Sequence, residues 1–181
     1  MSFTYRAAGR SLIFLFLGCV CVQADFSFCN AGQSGNQISA TYTLSSERIP
    51  VPGQFSASLQ VQLTTPINDN IRAEVQIRRK VFYWSVVVPC VGGGQGIGSC
   101  SYSDVCALLE GVTETCNGQP CRCPLGPATF TFSNLQFSTD YLHPLIRRVA
   151  RNTSFYIKIK FYSKSTGALL SCLKTQLNTS G

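Results

Sequence analysis

The cysteines constrain the fold of this chain more than any other feature of its sequence. The chain has 181 residues and 10 cysteines, and Cys19 and Cys21 lie in an apolar segment near the N-terminus. If that segment is removed on export, eight cysteines remain in a protein that matures in an oxidising compartment, where an even set is typical of disulfides. We therefore predict that all eight are paired: Cys29, Cys90, Cys100, Cys106, Cys116, Cys121, Cys123 and Cys172.

Zinc is the competing interpretation for part of this set, because Cys116, Cys121 and Cys123 are close in sequence. Structural zinc sites prefer paired C-x-x-C spacings, whereas this segment offers C-x-C, and the whole chain has one histidine. Disulfides are therefore favoured, and no metal site is predicted. The spacing alone leaves the pairing of eight cysteines open.

The N-terminal segment has the features of a secretory signal peptide. Arg6 and Arg10 precede an apolar run from Leu12 to Val22, and Ala24 supplies the small residue that a signal peptidase requires. A membrane-spanning helix needs about 20 apolar residues, so this run is too short to span a bilayer. We predict a signal peptide over residues 1–24 and one mature domain over residues 25–181.

Much of the mature chain alternates apolar and polar residues, as β-strands with one wet face do. The segments Phe55–Leu63 and Ile71–Ile77 alternate in this way, and turn residues between them indicate a hairpin. The continuous apolar run Val81–Val88 predicts a strand covered on both faces, with a core helix as the alternative. Further strands are predicted at Phe130 and Phe132, over Phe155–Phe161 and over Ala168–Leu177.

One segment predicts a short helix. Ser103 is the expected N-cap, Asp104 lies in the first turn and Gly111 ends the helix. Together these elements predict an all-β fold, in which two antiparallel sheets form a sandwich or a cup with one short helix.

The net positive charge favours an anionic membrane over nucleic acid as the binding partner. The formal net charge is +7, and basic residues cluster at positions 78–80 and 147–151. An export signal disfavours a nucleic-acid partner, whereas each basic residue draws a protein to an anionic membrane by about 1 kcal/mol. An apolar segment before the second cluster suggests a loop that touches the membrane, with a buried loop as the alternative. The predicted membrane-contact residues are Tyr141, Leu142, Leu145, Ile146, Arg147 and Arg148.

The sequence offers little for catalysis. His143 is the only histidine, and no Ser or Cys nucleophile motif surrounds it. The segment Gly92–Gly98 matches neither G-x-G-x-x-G nor the Lys-ended P-loop, and its place between two cysteines indicates a disulfide-closed loop. We predict no enzyme activity and no cofactor. Asn152 and Asn178 each begin an N-x-[ST] pattern and are predicted glycosylation acceptors.

Short motifs along the mature chain resemble those of a known family. They are Val88-Pro89-Cys90, Ile97-Gly98-Ser99-Cys100 and Pro120-Cys121-Arg122-Cys123-Pro124, with Val51-Pro52-Gly53 upstream and Cys172-Leu173-Lys174 downstream. In this order they resemble the ML lipid-recognition family. The count of eight cysteines resembles the family's branch of glycolipid activator proteins, because the other branches carry fewer.

This resemblance implies the disulfide pairs Cys29–Cys172, Cys90–Cys100, Cys106–Cys123 and Cys116–Cys121. It also implies a β-cup whose two sheets leave an apolar cavity for lipid chains. The alternating strands supply candidates for the cavity wall, although in an ordinary sandwich the same faces form a packed core. The predicted wall residues are Leu59, Val61, Val75, Ile77, Phe130, Phe132, Phe155, Ile157, Ile159 and Phe161.

The function that the resemblance implies is lipid binding and transfer without chemistry. The expected ligands are gangliosides, other sphingolipids or phospholipids, taken from an anionic membrane surface. The implied partner is a β-hexosaminidase, a lysosomal glycosidase to which the lipid is presented, in a protein that is secreted or lysosomal. The alternative is a secreted lipid-binding or transport module with no hydrolase partner.

Overall fold

The computed structural model describes residues 22–29, 36–67, 70–91, 96–110, 115–116, 119–120 and 123–181. Strands predominate in this part of the chain. They are β1 (Val22–Asp25), β2 (Ser27–Phe28), β3 (Ile38–Leu44), β4 (Ile49–Pro50), β5 (Gln54–Leu63), β6 (Ile71–Val81), β7 (Trp84–Val87), β8 (Ser101–Tyr102), β9 (Thr115–Cys116), β10 (Gln119–Pro120), β11 (Ala128–Ser138), β12 (Ser154–Ser163) and β13 (Leu169–Ser180). The helices are α1 (Val105–Glu110) and α2 (Pro144–Ala150).

The long strands form two sheets. Sheet A has the order β1-β3-β5-β11, and sheet B has the order β2-β13-β12-β6-β7, with β8 paired to β6. These pairings are antiparallel, and only the short β4 pairs in parallel, with β13, among the described strands. The predicted all-β fold of two antiparallel sheets is therefore confirmed.

The two sheets come together along β3 and β13. The Tyr42 hydroxyl lies 2.9 Å from the Thr175 hydroxyl, and the buried Ser171 hydroxyl donates to the carbonyl oxygen of Ile38 at 2.7 Å. The backbones of β11 and β6, both fully described, make no comparable approach on the other side. The sandwich is thus joined along one side.

One end of the sandwich is sealed by the hydrophobic core, and we call it the closed end. Ile67 pairs with Leu125 through two backbone hydrogen bonds, which bring the β5–β6 connection against the segment before β11. Val105 of α1 packs on this core, and the Cys106–Cys123 disulfide ties α1 to the same segment. The buried core residues are Ile38, Leu63, Ile67, Ile71 and Phe130.

The predicted hairpin of β5 with β6 is wrong. β5 pairs with β3 and β11 in sheet A, whereas β6 pairs with β12 in sheet B. The connection between them carries Ile67, which is only 4% exposed, so the chain crosses the closed end from one sheet to the other. Alternation determines which face of a strand is apolar, but it does not determine the neighbouring strand.

The predicted strand over Val81–Val88, covered on both faces, is also wrong. β6 ends at Val81, Phe82 and Tyr83 form a two-residue turn, and β7 returns along β6 from Trp84. Phe82 has φ 51°, the left-handed conformation that hairpin turns require. Every residue of β7 is exposed, so this apolar run is not a buried strand.

The predicted helix is present as α1, but its N-cap is Asp104 rather than Ser103. The backbone N–H of Ala107 donates to Asp104 Oδ1 at 3.0 Å, which is the bond that an N-cap side chain makes. The prediction of a single helix is incomplete, because α2 begins at Pro144 in the segment interpreted as a loop. Proline is favoured at the first helical position, where it has no N–H to leave unpaired.

The described residues form three disulfides, Cys29–Cys172, Cys90–Cys100 and Cys106–Cys123, and these are three of the four implied pairs. The pairing of Cys116 falls outside the described part of the chain, because Cys121 is not described. Most of the predicted signal peptide also lies outside it, and β1 overlaps the last three residues of that segment. Cleavage after Ala24 stays a prediction.

Candidate functional site

The predicted wall residues lie on the faces that the two sheets turn toward each other. Tyr42 is opposite Leu59, Thr175 is opposite Ile157, and the hydrogen bond between Tyr42 and Thr175 shows that these two rows meet. Val61, Phe132 and Phe161 pack directly on the core. The cross-strand pairs are Val61–Phe130 and Leu59–Phe132 in sheet A and Val75–Ile159 and Ile77–Ile157 in sheet B, and Phe155 and Phe161 continue the face of β12.

On β6 and β11, burial of the inward faces decreases from the closed end toward the opposite end, whereas Thr179 near the far end of β13 is 5% exposed and Val51 beside it 2%. On β6, Ile71 is 3% exposed, whereas Val75 and Ile77 are only half-buried. On β11, Phe130 is 8% exposed and Phe137 near the far end is 44% exposed. A close-packed sandwich would bury large inward side chains along its whole length. The gradient indicates that the sheets diverge toward this end on the side of β6 and β11, and we call it the open end.

The open end carries an exposed aromatic hairpin. Phe82, Tyr83 and Trp84, which we call the tip, are 87%, 100% and 77% exposed. Exposed apolar clusters of this kind mark sites of contact with proteins or membranes. The predicted membrane-contact residues did not include the tip, because Val81–Val88 was interpreted as one buried strand. The available signal was a run of three aromatic residues that only Val81 separates from three basic residues.

Helix α2 lies at the same end, since it connects the end of β11 to the start of β12. Ala150 is buried and anchors the helix, and Ile146 and Val149 are 42% and 48% exposed. Of the other predicted membrane-contact residues, Tyr141 and Arg148 are exposed and Leu142 is half-buried. The side chain of Leu145 lies outside the described part of the structure.

Arg147 has a local structural partner. It is half-buried, and its Nε donates to the carbonyl oxygen of Leu142 at 2.8 Å. This bond holds the turn that precedes α2. Arg148 therefore remains the more accessible cation of this helix for an anionic surface.

The sheet A side of the open end is also aromatic. Phe55 on β5 and Phe137 on β11 are cross-strand neighbours whose rings stack with centroids 5.3 Å apart. Together with the tip and α2, this stack places apolar side chains on both sheets at the open end. We call these three features the rim.

The outer face of sheet B is basic. Lys158 and Lys174 lie directly opposite each other on paired strands, and with Arg78 they line a groove of about 520 Å³. Like charges in direct opposition repel each other. The described residues contain two ion pairs, Arg72–Glu74 at 3.4 Å and Lys164–Asp104 at 3.8 Å, so this groove keeps its positive charge.

The candidate residues for catalysis and metal binding occupy the following positions in the fold. His143 is exposed and directly precedes α2. Cys123 is in a disulfide, so it is not a zinc thiolate. Within the described ranges we find no cluster of three or more metal-ligating side chains and no helix long and apolar enough to cross a bilayer.

The two predicted glycosylation acceptors are both exposed. Asn152 precedes β12 at the open end, and its Nδ2 donates to the carbonyl oxygen of Gly181 at 3.3 Å. Asn178 lies on β13 and accepts a hydrogen bond from the Ser154 hydroxyl at 2.7 Å. Both positions are accessible in the folded chain, and their glycosylation stays a prediction.

Comparison with known proteins finds similarity over most of the chain at low identity. No family model matches the sequence. The chain is 25% identical to the ganglioside GM2 activator of Mus musculus over 162 residues, which cover 84% of this chain and 80% of the relative. It is 22% identical to the ganglioside GM2 activator of Macaca fascicularis over 162 residues, covering 84% and 81%. A crystal structure of a Niemann-Pick type C2 protein from Japanese carpenter ant covers 86% of this chain and 100% of its own, at 15% identity and a TM-score of 0.42.

Proposed function

We propose that this protein is a non-catalytic lipid-binding and transfer protein. The observation that carries the proposal is the burial gradient along the inward faces of β6 and β11, which are sealed at one end and accessible at the other. Such a space suits acyl chains, because each CH₂ group removed from water gains about 0.8 kcal/mol. The similarity to two proteins named as ganglioside GM2 activators supports a lipid ligand.

The rim supports extraction directly from a membrane. The exposed tip can enter the acyl region of a bilayer, while Arg148 and the basic outer face of sheet B attract the protein to anionic lipids. A lipid chain then passes from the bilayer into the space between the sheets without crossing water. Its head group stays at the open end, where a second protein can reach it.

The cargo that we propose is a ganglioside or a related sphingolipid, and the proposed partner is a β-hexosaminidase that acts on the presented head group. The names of the two relatives support the cargo. The resemblance to the activator branch supports the enzyme partner. Secretion and delivery to lysosomes belong to the same proposal and rest on the signal peptide and the disulfides.

The test is transfer of a fluorescent ganglioside between vesicles at acidic pH by the mature, disulfide-intact protein, with phosphatidylcholine and sterol as competing cargoes. We expect selective ganglioside transfer. Replacing Ile159 on the inward face with Trp fills the space and should stop transfer without lowering Tm. The control is Gln60→Trp at an exposed position on the outer face of β5, which should leave transfer and Tm unchanged.

A closed core predicts the opposite outcome. In that case the wild-type protein moves no lipid, and Ile159→Trp lowers Tm because an overpacked core is strained. Purified β-hexosaminidase then tests the partner. Stimulated hydrolysis of the transferred ganglioside supports the activator role, and transfer without stimulation supports a lipid-transport module.

A further inference from the structure

Arg79 occupies a position in β6 where the strand is otherwise apolar. Ile71, Ala73, Val75 and Ile77 precede it at intervals of two residues on the inward face of sheet B. Arg79 follows in the same register and is half-buried, whereas Arg78 and Lys80 on either side are exposed. Since side chains alternate between the two faces of a strand, Arg79 turns toward the space between the sheets.

The guanidinium of Arg79 has a buried nitrogen without a partner. Its Nε is inaccessible to solvent and makes no hydrogen bond with the described residues, and no ion pair of Arg79 is recorded among them. Burying a charged donor without an acceptor is unfavourable, so such a group calls for an explanation.

Other arginines of the same region have partners. Arg78 Nε donates to the Ser85 hydroxyl at 2.9 Å, and Arg151 Nε donates to the carbonyl oxygen of Val51 at 2.9 Å. The side chain of Arg72 pairs with Glu74. The fold therefore supplies acceptors to neighbouring arginines and leaves the buried Nε of Arg79 without one.

Along the inward face of β6, the side chains are apolar as far as Ile77 and become polar at Arg79. Ala73 lies at the closed end, six residues earlier, which in a strand corresponds to about 20 Å. The inward faces between these levels carry Val75, Ile77 and their partners on β12. Arg79 also borders a pocket of about 370 Å³ at the open end, shared with Lys80 and the segment 152–154.

We propose that Arg79 binds the anionic group of the lipid head group. This inference rests on the proposed lipid-binding function and adds a ligand class to it: lipids that carry a carboxylate, sulfate or phosphate close to their acyl chains. A guanidinium matches the paired oxygens of these groups, and the bound anion supplies the acceptor that the protein does not. When the acyl chains of the lipid lie against the apolar part of this face, its head group lies next to Arg79.

The experiment compares two lipids that differ only in charge. Vesicles contain fluorescent galactosylceramide or its sulfated counterpart with the same chains, and transfer by the full mature protein is measured for each. Wild-type protein should transfer the sulfated lipid preferentially. Arg79→Gln should reduce transfer of the sulfated lipid about tenfold and leave the neutral lipid unchanged, since hydrogen bonds to charged groups are among the stronger ones.

Arg72→Gln is the matched control. It removes the same charge from the outer face of the same strand, outside the groove that Lys158 and Lys174 line, so it should keep the preference for the sulfated lipid. Arg79→Lys, which keeps the charge and loses the guanidinium fork, should retain part of the preference. Equal loss of preference in Arg72→Gln and Arg79→Gln would overturn the inference, because the effect would then be one of net charge.

A second readout separates binding from a structural role. Arg79→Met keeps the length of the side chain and removes the unpaired buried donor, so its Tm should equal or exceed that of the wild type while the preference is lost. A lower Tm together with equally reduced transfer of both lipids would overturn the inference. If the wild type transfers both lipids equally, the inference about Arg79 fails and the proposed function stands. If it transfers neither, the inference fails, and if it moves no ganglioside either, the proposed function itself fails.

Inorganic sulfate distinguishes a lipid head group from a free anion as the ligand. Added to the transfer assay at constant ionic strength, it should not abolish the preference for the sulfated lipid, because a free anion lacks the chains that hold the head group at Arg79. Loss of the preference at low sulfate concentration would show a site for small free anions and would overturn the assignment to a lipid head group.

Discussion

Gly98 is the residue of the glycine-rich segment whose lack of a side chain the fold requires. Its φ is 120°, and a Cβ at this position would clash with the carbonyl oxygen of Pro89. The close approach returns the chain to the edge of β6, where the Ser99 hydroxyl donates to the carbonyl oxygen of Ile77 and accepts from its N–H. The residues directly after the glycine-rich segment therefore extend the edge of sheet B, and the Cys90–Cys100 disulfide closes that segment as predicted.

We expect Gly98→Ala to lower the free energy of unfolding by about 1–3 kcal/mol from backbone strain, with a further loss from the clash. Urea denaturation measures the change. Gly126→Ala is the control, because no heavy atom lies within 4 Å of the position that its Cβ would take. Equal stabilities of the two variants would contradict this role of Gly98.

Individual residues show which features of the fold can be predicted from this sequence and which cannot. Alternation correctly placed Val75 and Ile77 on one face of β6. The same alternation places Arg79 on that face, but residues 78–80 were interpreted as one basic cluster, which hid the opposite orientations of Arg78 and Arg79. The two-residue alternation along β6 was visible in the sequence. The missing partner of Arg79 was not, because it depends on acceptors from other strands.

At the scale of elements, strand positions were predictable and strand partners were not. The alternating segments on β5, β6, β11, β12 and β13 are strands, because period-2 alternation needs only local sequence. β3 was missed, although Ile38, Ala40, Tyr42 and Leu44 alternate in the same way. The assignment of β5 and β6 to different sheets depends on Ile67 packing at the closed end, and no local pattern encodes that contact.

The tip is the element whose membrane contact can be measured directly. Trp84 is the only tryptophan of the chain, so intrinsic fluorescence reports the surroundings of the tip alone. On addition of anionic vesicles at low ionic strength, we expect the emission maximum to shift to shorter wavelength, because the exposed indole enters an apolar medium. Phe82→Ser and Tyr83→Ser should each weaken vesicle binding about tenfold, given about 1.5–3 kcal/mol for a large apolar side chain.

Ile97→Ser is the control for the tip. Ile97 is 61% exposed, and it lies in the segment that follows β7 along the edge of sheet B rather than at the rim. Its replacement should leave vesicle binding unchanged. An unshifted Trp84 emission in the presence of bound vesicles, or equal losses in Ile97→Ser and Phe82→Ser, would exclude the tip as the membrane-contacting element.

At the scale of the molecule, the closed end and the open end have different tasks. The closed end gathers the buried core, α1 and the Cys106–Cys123 disulfide, so it supplies most of the tight packing. The open end leaves apolar side chains half-exposed, which costs stability that the closed end and the cross-links offset. Cross-links matter in such a molecule because, under the proposed function, part of its inward surface binds a ligand instead of packing in the core.

The Cys29–Cys172 disulfide should be the largest covalent contributor to stability. It closes a loop with a sequence separation of 143, against 10 for Cys90–Cys100. In the chain-entropy model these loops correspond to about 5 and about 3 kcal/mol. Replacing both cysteines of each pair with Ala should therefore lower the free energy of unfolding by about 2 kcal/mol more for Cys29–Cys172, as measured by guanidinium denaturation. Equal losses would show that native contacts around β2 and β13, such as the hydrogen bond from Cys29 N to Cys172 O at 2.9 Å, already restrict this loop without the disulfide.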